Sequence, residues 1–396
     1  MAARRAPTAE PRERTRLPLG PLVGGCTVGI VISWNVANTG SVVSLLARHY
    51  GTGLAAMGLM TTVLFFAELA VMLPGGRAID RFGAKRSGLV AIGLSLVGNL
   101  LLLTTSSFAL ALVLRTVVGL GVGLGFLAGA IYVQQGAGRN APLAGGIYGG
   151  VSLSGGGLAL AIVPQLVGAY GWRAPYVSAV AVAVVALPIV LASPSSTIHG
   201  PHAGRPRFRS LMANRTIMRL GAMSAVSFGF SIVLGNWVVT LLERHGSLSA
   251  GSAGAIGSLI LIAGIVGRPS GGVLVHLRPD AAWRTIAAAF LAGTLGVVVL
   301  MLAVSPVLDA IAAALIGLAA GIPFGATIAG TVKSYPQASG AAVGAMNAWA
   351  VLVIVVGAPL VGLSFSLPGA GRIGFAAVAA LWLAAIAVIP RGLKLS

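Results

Sequence analysis

Only 7 aspartates and glutamates stand against 26 lysines and arginines in the 396 residues, so an acid set among bases is a marked position. Asp80 is one, in the run Gly75-Gly76-Arg77-Ala78-Ile79-Asp80-Arg81-Phe82-Gly83-Ala84-Lys85-Arg86. A carboxylate beside Arg77, Arg81, Lys85 and Arg86 can enter charge-assisted hydrogen bonds that hold two helix ends shut in one state and exchange in another. Gly76 and Gly83 permit the tight turn and close helix approach that such a gate needs. Electrostatic anchoring alone accounts for the bases but not for the spacing of the acid and the glycines.

Three more charges lie inside long apolar runs, where a charge is costly and marks function by default. Glu68 is the one carboxylate well within such a run; it is expected to support the neighbouring gate, with proton carriage as the other reading. Arg115 is expected to answer a proton-carrying partner or hold an anion, against a structural ion pair or carbonyl clamp. Arg268 reads as a gate or as a side chain snorkelling to the interface. Among uncharged groups, Trp34, Asn35 and Asn38, the pair Asn236 and Trp237, and Asn347 with Trp349 offer donors, acceptors and flat walls for a solute. Hydrogen bonding between helices is the alternative for each Asn.

Other chemistries find no residues. A single cysteine, Cys26, sits in an apolar run and reads as packing, which excludes a disulfide framework and a cysteine metal site. His199 and His202 have metal-like spacing without an accompanying cysteine or acid, and read as a solvated linker. No nucleophile–base–acid set and no G-x-x-x-x-G-K-[ST] loop occur. The expectation is no enzyme, no cofactor, no metal and no use of ATP.

The elements that must position these residues are set by hydropathy. The chain is 57% hydrophobic and 8% charged, against roughly a quarter charged in soluble proteins. A lipid core about 30 Å thick needs roughly 20 apolar residues per helix, and backbone amides there must bond within their own helix or in a closed barrel. The runs here are continuous rather than alternating, which excludes a barrel. Twelve helical spans are expected, near 22–46, 54–74, 87–105, 108–134, 145–168, 174–193, 217–242, 251–275, 284–304, 307–332, 341–364 and 373–390. Pro323 is expected to kink the tenth. The first run is longer than a signal-peptide core and reads as an uncleaved span.

Lys and Arg fall 21 on one side of these spans and 4 on the other, with Arg115 inside. That bias puts both termini in the cytoplasm and explains the net charge of +19 without nucleic acid. The chain also repeats itself. Leu45-Leu46-Ala47-Arg48-His49 returns as Leu241-Leu242-Glu243-Arg244-His245, and Gly75-Gly76 as Gly271-Gly272, at a shift of 196. Gly145, Gly149 and Pro164 return as Gly340, Gly344 and Pro359 at a shift of 195. At Asp80 the copy has His276, so the second gate is expected to be weaker or differently made. The expected organisation is a cytoplasmic tail 1–21, a six-helix bundle 22–193, a cytoplasmic linker 194–216, a second six-helix bundle 217–390 and a cytoplasmic tail 391–396. Two parallel copies imply a substrate held near the midplane between them.

The Gly75–Arg86 run resembles the loop 2–3 signature of the major facilitator superfamily, G-x-x-x-D-R-x-G-R-R, with Gly76, Asp80, Arg81, Gly83, Lys85 and Arg86 filling it and Ala84 before the basic pair. Arg115-x-x-x-Gly119-x-Gly121-x-Gly123 in the fourth span and Gly171-Trp172-Arg173 before the sixth are similar to further signatures of that family. The resemblance implies an all-α fold of twelve transmembrane helices in two pseudo-symmetric halves, with spans 1, 4, 7 and 10 lining a cavity. It also implies a secondary active transporter that moves a small organic solute by alternating access, with proton coupling. Scarce intramembrane carboxylates favour a neutral or anionic solute. Proton-driven efflux of drugs or metabolites is the alternative, although Val151 and Ser154 depart from the antiporter pattern in span 5. A non-transporting sensor or assembly partner is the second. The expected partners are the solute, protons and the lipid bilayer of the plasma (inner) membrane, with a monomer as the working unit.

Overall fold

The computed structural model describes residues 17–195, 208–245, 248 and 250–390. The tail up to residue 16, the linker stretch with His199 and His202, and the final six residues lie outside them. Every regular element among the described residues is helical. Nine helical runs are long and apolar enough to cross a membrane, with a tenth if the bent pair Ala56–Met72 and Pro74–Phe82 counts as one. One of the nine, Gly138–Ala192, is a 55-residue run that turns at Gly171 and so holds two helices, while Arg372–Val388 is a shorter apolar helix. Helices therefore stand at all twelve expected places.

They are span 1 (Leu19–Ala37), span 2 (Leu54–Phe82), span 3 (Ala84–Leu102), span 4 (Phe108–Gln134), span 5 (Ala141–Ile162) and span 6 (Ala174–Ala192). Span 7 is Arg215–Ser224 and Phe230–His245, joined by a π turn at Ala225–Gly229. Span 8 (Ala250–Leu277) and span 9 (Ala282–Leu302) follow. Span 10 comprises Pro306–Gly321 and Phe324–Ser334, span 11 is Ser339–Leu363 and span 12 begins as Arg372–Ala384. As expected, Pro323 breaks span 10, since its ring and missing N–H interrupt the ladder. Large apolar side chains such as Phe66, Val185, Leu295 and Leu363 point outward, the inverse of a water-soluble exterior.

Two boundaries differ from the sequence reading in ways that matter. Span 2 does not end at Pro74 but bends there by 54° and continues to Phe82. Gly76 through Arg81 therefore lie on a helix, and the connection to span 3 shrinks to Gly83, at φ 87°. Only glycine adopts that backbone without strain. Span 1 stops at Ala37, short of the expected 46, and a separate helix Val43–His49 follows.

Packing repeats with the sequence. Spans 2 and 4, 3 and 4, 1 and 5, and 3 and 6 pack together, and the same pairs recur six positions on as 8 and 10, 9 and 10, 7 and 11, and 9 and 12. The crossing contacts obey the same rule, span 2 lying on span 11 and span 8 on span 5. The Leu-Leu-x-Arg-His repeat keeps the type of contact but not its place, His49 meeting the connection between spans 3 and 4 and His245 that between spans 11 and 12. His49 Nε2 faces the Thr105 carbonyl at 3.3 Å, and His245 Nε2 faces that of Ala370 at 3.0 Å. The face carrying Arg77, Arg81, Arg86, Arg139 and Arg215 is called the basic face below. Of span 10, only the Phe324–Ser334 segment, on the basic-face side of the break, packs closely on spans 4 and 5.

Candidate functional site

The basic-face end of span 2 meets the start of span 11. Asp80, 5% exposed, accepts the Gly340 amide on Oδ1 at 2.7 Å and the Ala341 amide on Oδ2 at 3.0 Å. Span 11 begins at Ser339, so these amides are among the four that a helix leaves without internal partners. The positive end of the helix dipole favours the carboxylate at this position. Approach is possible because neither helix has a side chain in the way. A Cβ on Gly76 would run into the Gly340 carbonyl, one on Gly340 into that of Gly76, and one on Gly344 into that of Met72. The bend at Pro74 aims this last stretch of span 2 at span 11.

The bases of the motif have separate tasks. Lys85 Nζ donates to the Leu191 and Ser193 carbonyls at 2.8 and 2.5 Å, closing the end of span 6. Arg81 lies over the Phe82 ring at 5.1 Å, while Arg77 and Arg86 are exposed. A cavity of about 200 Å³ opens beside Asp80, with Gln134, Gln135 and Ser339 in its wall.

Span 8 meets span 5 in the second crossing. A Cβ on Gly146 would come within 2.5 Å of the Arg268 carbonyl, and one on Gly272 within 2.7 Å of Pro142's. Where the repeat puts His276 for Asp80, His276 Nδ1 faces the Arg139 carbonyl at 3.0 Å. Deeper in, Arg268 is 4% exposed and its Nη1 donates to the Gly149 carbonyl at 3.1 Å. Its guanidinium lies 4.1 Å from the Phe324 ring and 5.9 Å from that of Phe228. Phe126 stacks on Phe228 at 5.9 Å, stands edge-on to Phe324 at 6.4 Å and lies 6.2 Å from Tyr148. The Tyr148 hydroxyl donates to the Phe126 carbonyl at 2.9 Å. A buried cation thus lies against aromatic rings from spans 7 and 10, which stabilise it through their quadrupoles, and Phe126 of span 4 packs on both rings and on Tyr148 of span 5.

Two irregular backbones build this cluster. The π turn of span 7 carries Ser227 and Phe228, and π bulges are frequent at functional sites. The break in span 10 puts Phe324 directly after Pro323. Ser227 Oγ donates to the Ala320 carbonyl at 2.5 Å, beside that break. A void of about 10 Å³ between Ser227, Ser231 and Arg268 is near the smallest space that holds one water. Asn347 of span 11 ties the first crossing to span 7. Its Nδ2 donates to Met72 Sδ at 3.5 Å, and its Oδ1 accepts from Ser224 Oγ at the same distance. Glu68 is 2% exposed and backs onto Gly123 of span 4, with no hydrogen bond or ion pair among the described residues.

The polar residues of span 1 face elsewhere. Asn35 Nδ2 donates to Ser95 Oγ and to the Val31 carbonyl at 2.7 and 2.8 Å, and its Oδ1 accepts from Asn99 at 2.7 Å. Asn38 Nδ2 donates to the Pro175 carbonyl at 2.9 Å, and Trp34 Nε1 to Ser178 Oγ at 3.1 Å. Arg115, fully buried, donates through Nη2 to the Asn35 carbonyl at 2.6 Å and to Thr39 Oγ1 at 3.2 Å. Its Nε and Nη1 have no partner among the described residues. These groups lie between spans 1, 3, 4 and 6, and Arg115 has the carbonyl-clamp geometry. In span 7, Asn236 is exposed and Trp237 Nε1 donates to the Ala358 carbonyl of span 11 at 2.7 Å. Trp349 packs on Gly221, away from the Asn347 contact with span 2.

The aromatic shell of Arg268 was not singled out from the sequence. The available signal was position: Phe126, Phe228 and Phe324 lie within spans 4, 7 and 10, those that the resemblance named as cavity-lining.

Comparison with known proteins bears on the same elements. The family model described as Major Facilitator Superfamily matches residues 25–358. A stretch of 117 residues is 31% identical to "Solute carrier family 2, facilitated glucose transporter member 10" of Xenopus tropicalis. It covers 30% of this chain and only a fifth, 20%, of that relative's length. The fold superimposes on the E. coli fucose:proton symporter with a TM-score of 0.75 and 14% identity, over 94% of this chain and 98% of that one. The human organic anion transporter MFSD10 gives 0.73 and 15%, over 95% and 100%. At such identity these two structures speak for the fold alone.

Proposed function

Because the chain belongs to the major facilitator superfamily, we propose that it is a secondary active transporter carrying a small neutral or anionic organic solute across the plasma membrane, coupled to protons. The basic face is cytoplasmic, following the bias of Lys and Arg. Residues 22–193 and 217–390 move as two bodies, rocking about the seam between spans 2 and 11 and spans 5 and 8. The single observation that carries this reading is the Asp80 cap on span 11, which joins segments 260 residues apart through two hydrogen bonds to backbone amides. Both donors are backbone amides in the first turn of span 11 and both acceptors belong to one carboxylate, so the contact can release and reform as a unit. With it in place the basic face is closed, and the solute would enter from the opposite side.

The solute class is supported by charge. Arg268 is a buried cation at the crossing, set against the Phe228 and Phe324 rings and without an acid beside it among the described residues. A carboxylate could exchange for its contact with the Gly149 carbonyl, and a sugar could lay a C–H face on the rings. The relatives reported above are named for sugars and for organic anions, which brackets the same range. Glu68, a buried carboxyl without an ion pair, is the proposed proton carrier.

Reconstituted protein should accumulate members of a panel of sugars and small organic acids when a pH gradient is imposed, and much less when it is collapsed. Protein that stays folded yet moves none of the panel under either gradient, and shows no counterflow, contradicts the proposal.

A further inference from the structure

Spans 7, 11 and 12 leave a groove of about 850 Å³ between them on the outside of the helix bundle. Its walls are apolar, built from Ala222, Phe230, Val356, Leu360 and Leu381 with the Trp349 ring. Its basic-face end is different. Arg215 and Arg219 line it there, four residues apart and so on one helix face, and neither has a hydrogen bond or ion pair among the described residues. No acidic side chain is among the lining residues. From Arg215 to Phe230 is fifteen residues, about 22 Å of helix, which matches half of a bilayer 40–45 Å thick with its headgroups.

We infer that this groove is a binding site for one anionic phospholipid of the leaflet at the basic face. The phosphate lies between Arg215 and Arg219, and an acyl chain runs along Ala222 and Trp349 towards Leu360. The shape alone would accept any lipid; the two arginines, without counter-ions among the described residues, at headgroup depth and with no acid in the groove lining, select negative charge. The assignment to the cytoplasmic leaflet rests on the orientation proposed above. The site itself does not, and a binding assay in detergent reads neither orientation nor transport, so the two proposals fail separately.

The test is a thermal-shift titration of purified protein in neutral detergent with dioleoyl-phosphatidylglycerol, dioleoyl-phosphatidylcholine and inorganic phosphate, since a ligand of the folded state raises its melting point by mass action. Phosphatidylglycerol should give a saturable rise at lower concentration than phosphatidylcholine, and phosphate none. In Arg215→Gln/Arg219→Gln the apparent affinity for phosphatidylglycerol should fall roughly tenfold to thirtyfold, with phosphatidylcholine unchanged. Arg215→Lys/Arg219→Lys should retain most of the preference, which controls for folding, and Ala222→Phe should weaken both lipids. Equal response to the two lipids, a preference that survives the glutamine variant, or a phosphate response matching that of the lipid would overturn the proposal.

Discussion

The two crossings between the first six and last six helices share one sequence ancestry and differ in chemistry. Span 2 on span 11 and span 8 on span 5 are both glycine seams where backbone lies against backbone. Only the first ends in an acid. The reason is on the opposing helix. Gly340 is the second residue of span 11, so its amide is free to be capped. Its counterpart in the repeat, Gly145, comes four residues after the start of span 5 at Ala141. The Gly145 amide is therefore already inside the helical ladder. An acid in place of His276 would find no orphan amide there, and that crossing depends instead on Arg268 reaching the Gly149 carbonyl within its aromatic shell. One seam has a latch at its edge, and the other is held from its middle.

Breaking either seam gives the largest effect. Gly76→Leu and Gly146→Leu each put a side chain into another helix's backbone, and overpacking of this kind costs about 1–3 kcal/mol or more. Each should reduce transport by about a hundredfold with the protein still inserted, as read by flux against surface expression. Arg268→Gln tests the middle. It removes a charged hydrogen bond of about 1.5–3 kcal/mol and a cation–π contact of about 1 kcal/mol, so solute affinity should fall by at least tenfold while the Asp80 contact stays. Asp80→Asn tests the edge. It keeps one acceptor but loses the charge at the helix end, worth about 1 kcal/mol, and should shift the closed state by roughly fivefold. In a Cys26→Ser background, a cysteine at Gln135, in the wall of the cavity beside Asp80, should then label faster from the basic face. His276→Asp sharpens the contrast from the other side. With no free amide to cap, it should change labelling and flux by less than twofold; a marked gain in closure would mean that the seams differ for another reason.

The fold was largely legible in the chain, because lipid leaves helices as the only way to bury continuous apolar runs, and the packing pairs follow the same repeat as Gly75-Gly76 and Gly271-Gly272. The site was legible only in part. Asp80 stood out by its spacing, but its partners are backbone amides, which every residue except proline has and which no sequence pattern marks. The motif read as a loop because charge and glycine cluster there, whereas the helix runs through it to Phe82, with Arg77 and Arg81 exposed on one side and Ile79 and Asp80 buried on the other. Polarity marks Asn35 and Asn38 either as solute ligands or as hydrogen bonders between helices, and helix rotation, which sequence does not show, turns their side chains to spans 3 and 6. The cluster around Arg268 depends on a π turn and a broken helix, local departures from 3.6-residue periodicity that hydropathy averages away.

Asp80 holds spans 2 and 11 together at the basic face. Spin labels at Arg81 and Gln337, both exposed, in a Cys26→Ser background read that separation directly by pulsed electron resonance. The parent protein should show one dominant short distance, and Asp80→Asn an added longer population. A distribution that does not change on this substitution would contradict this role of Asp80.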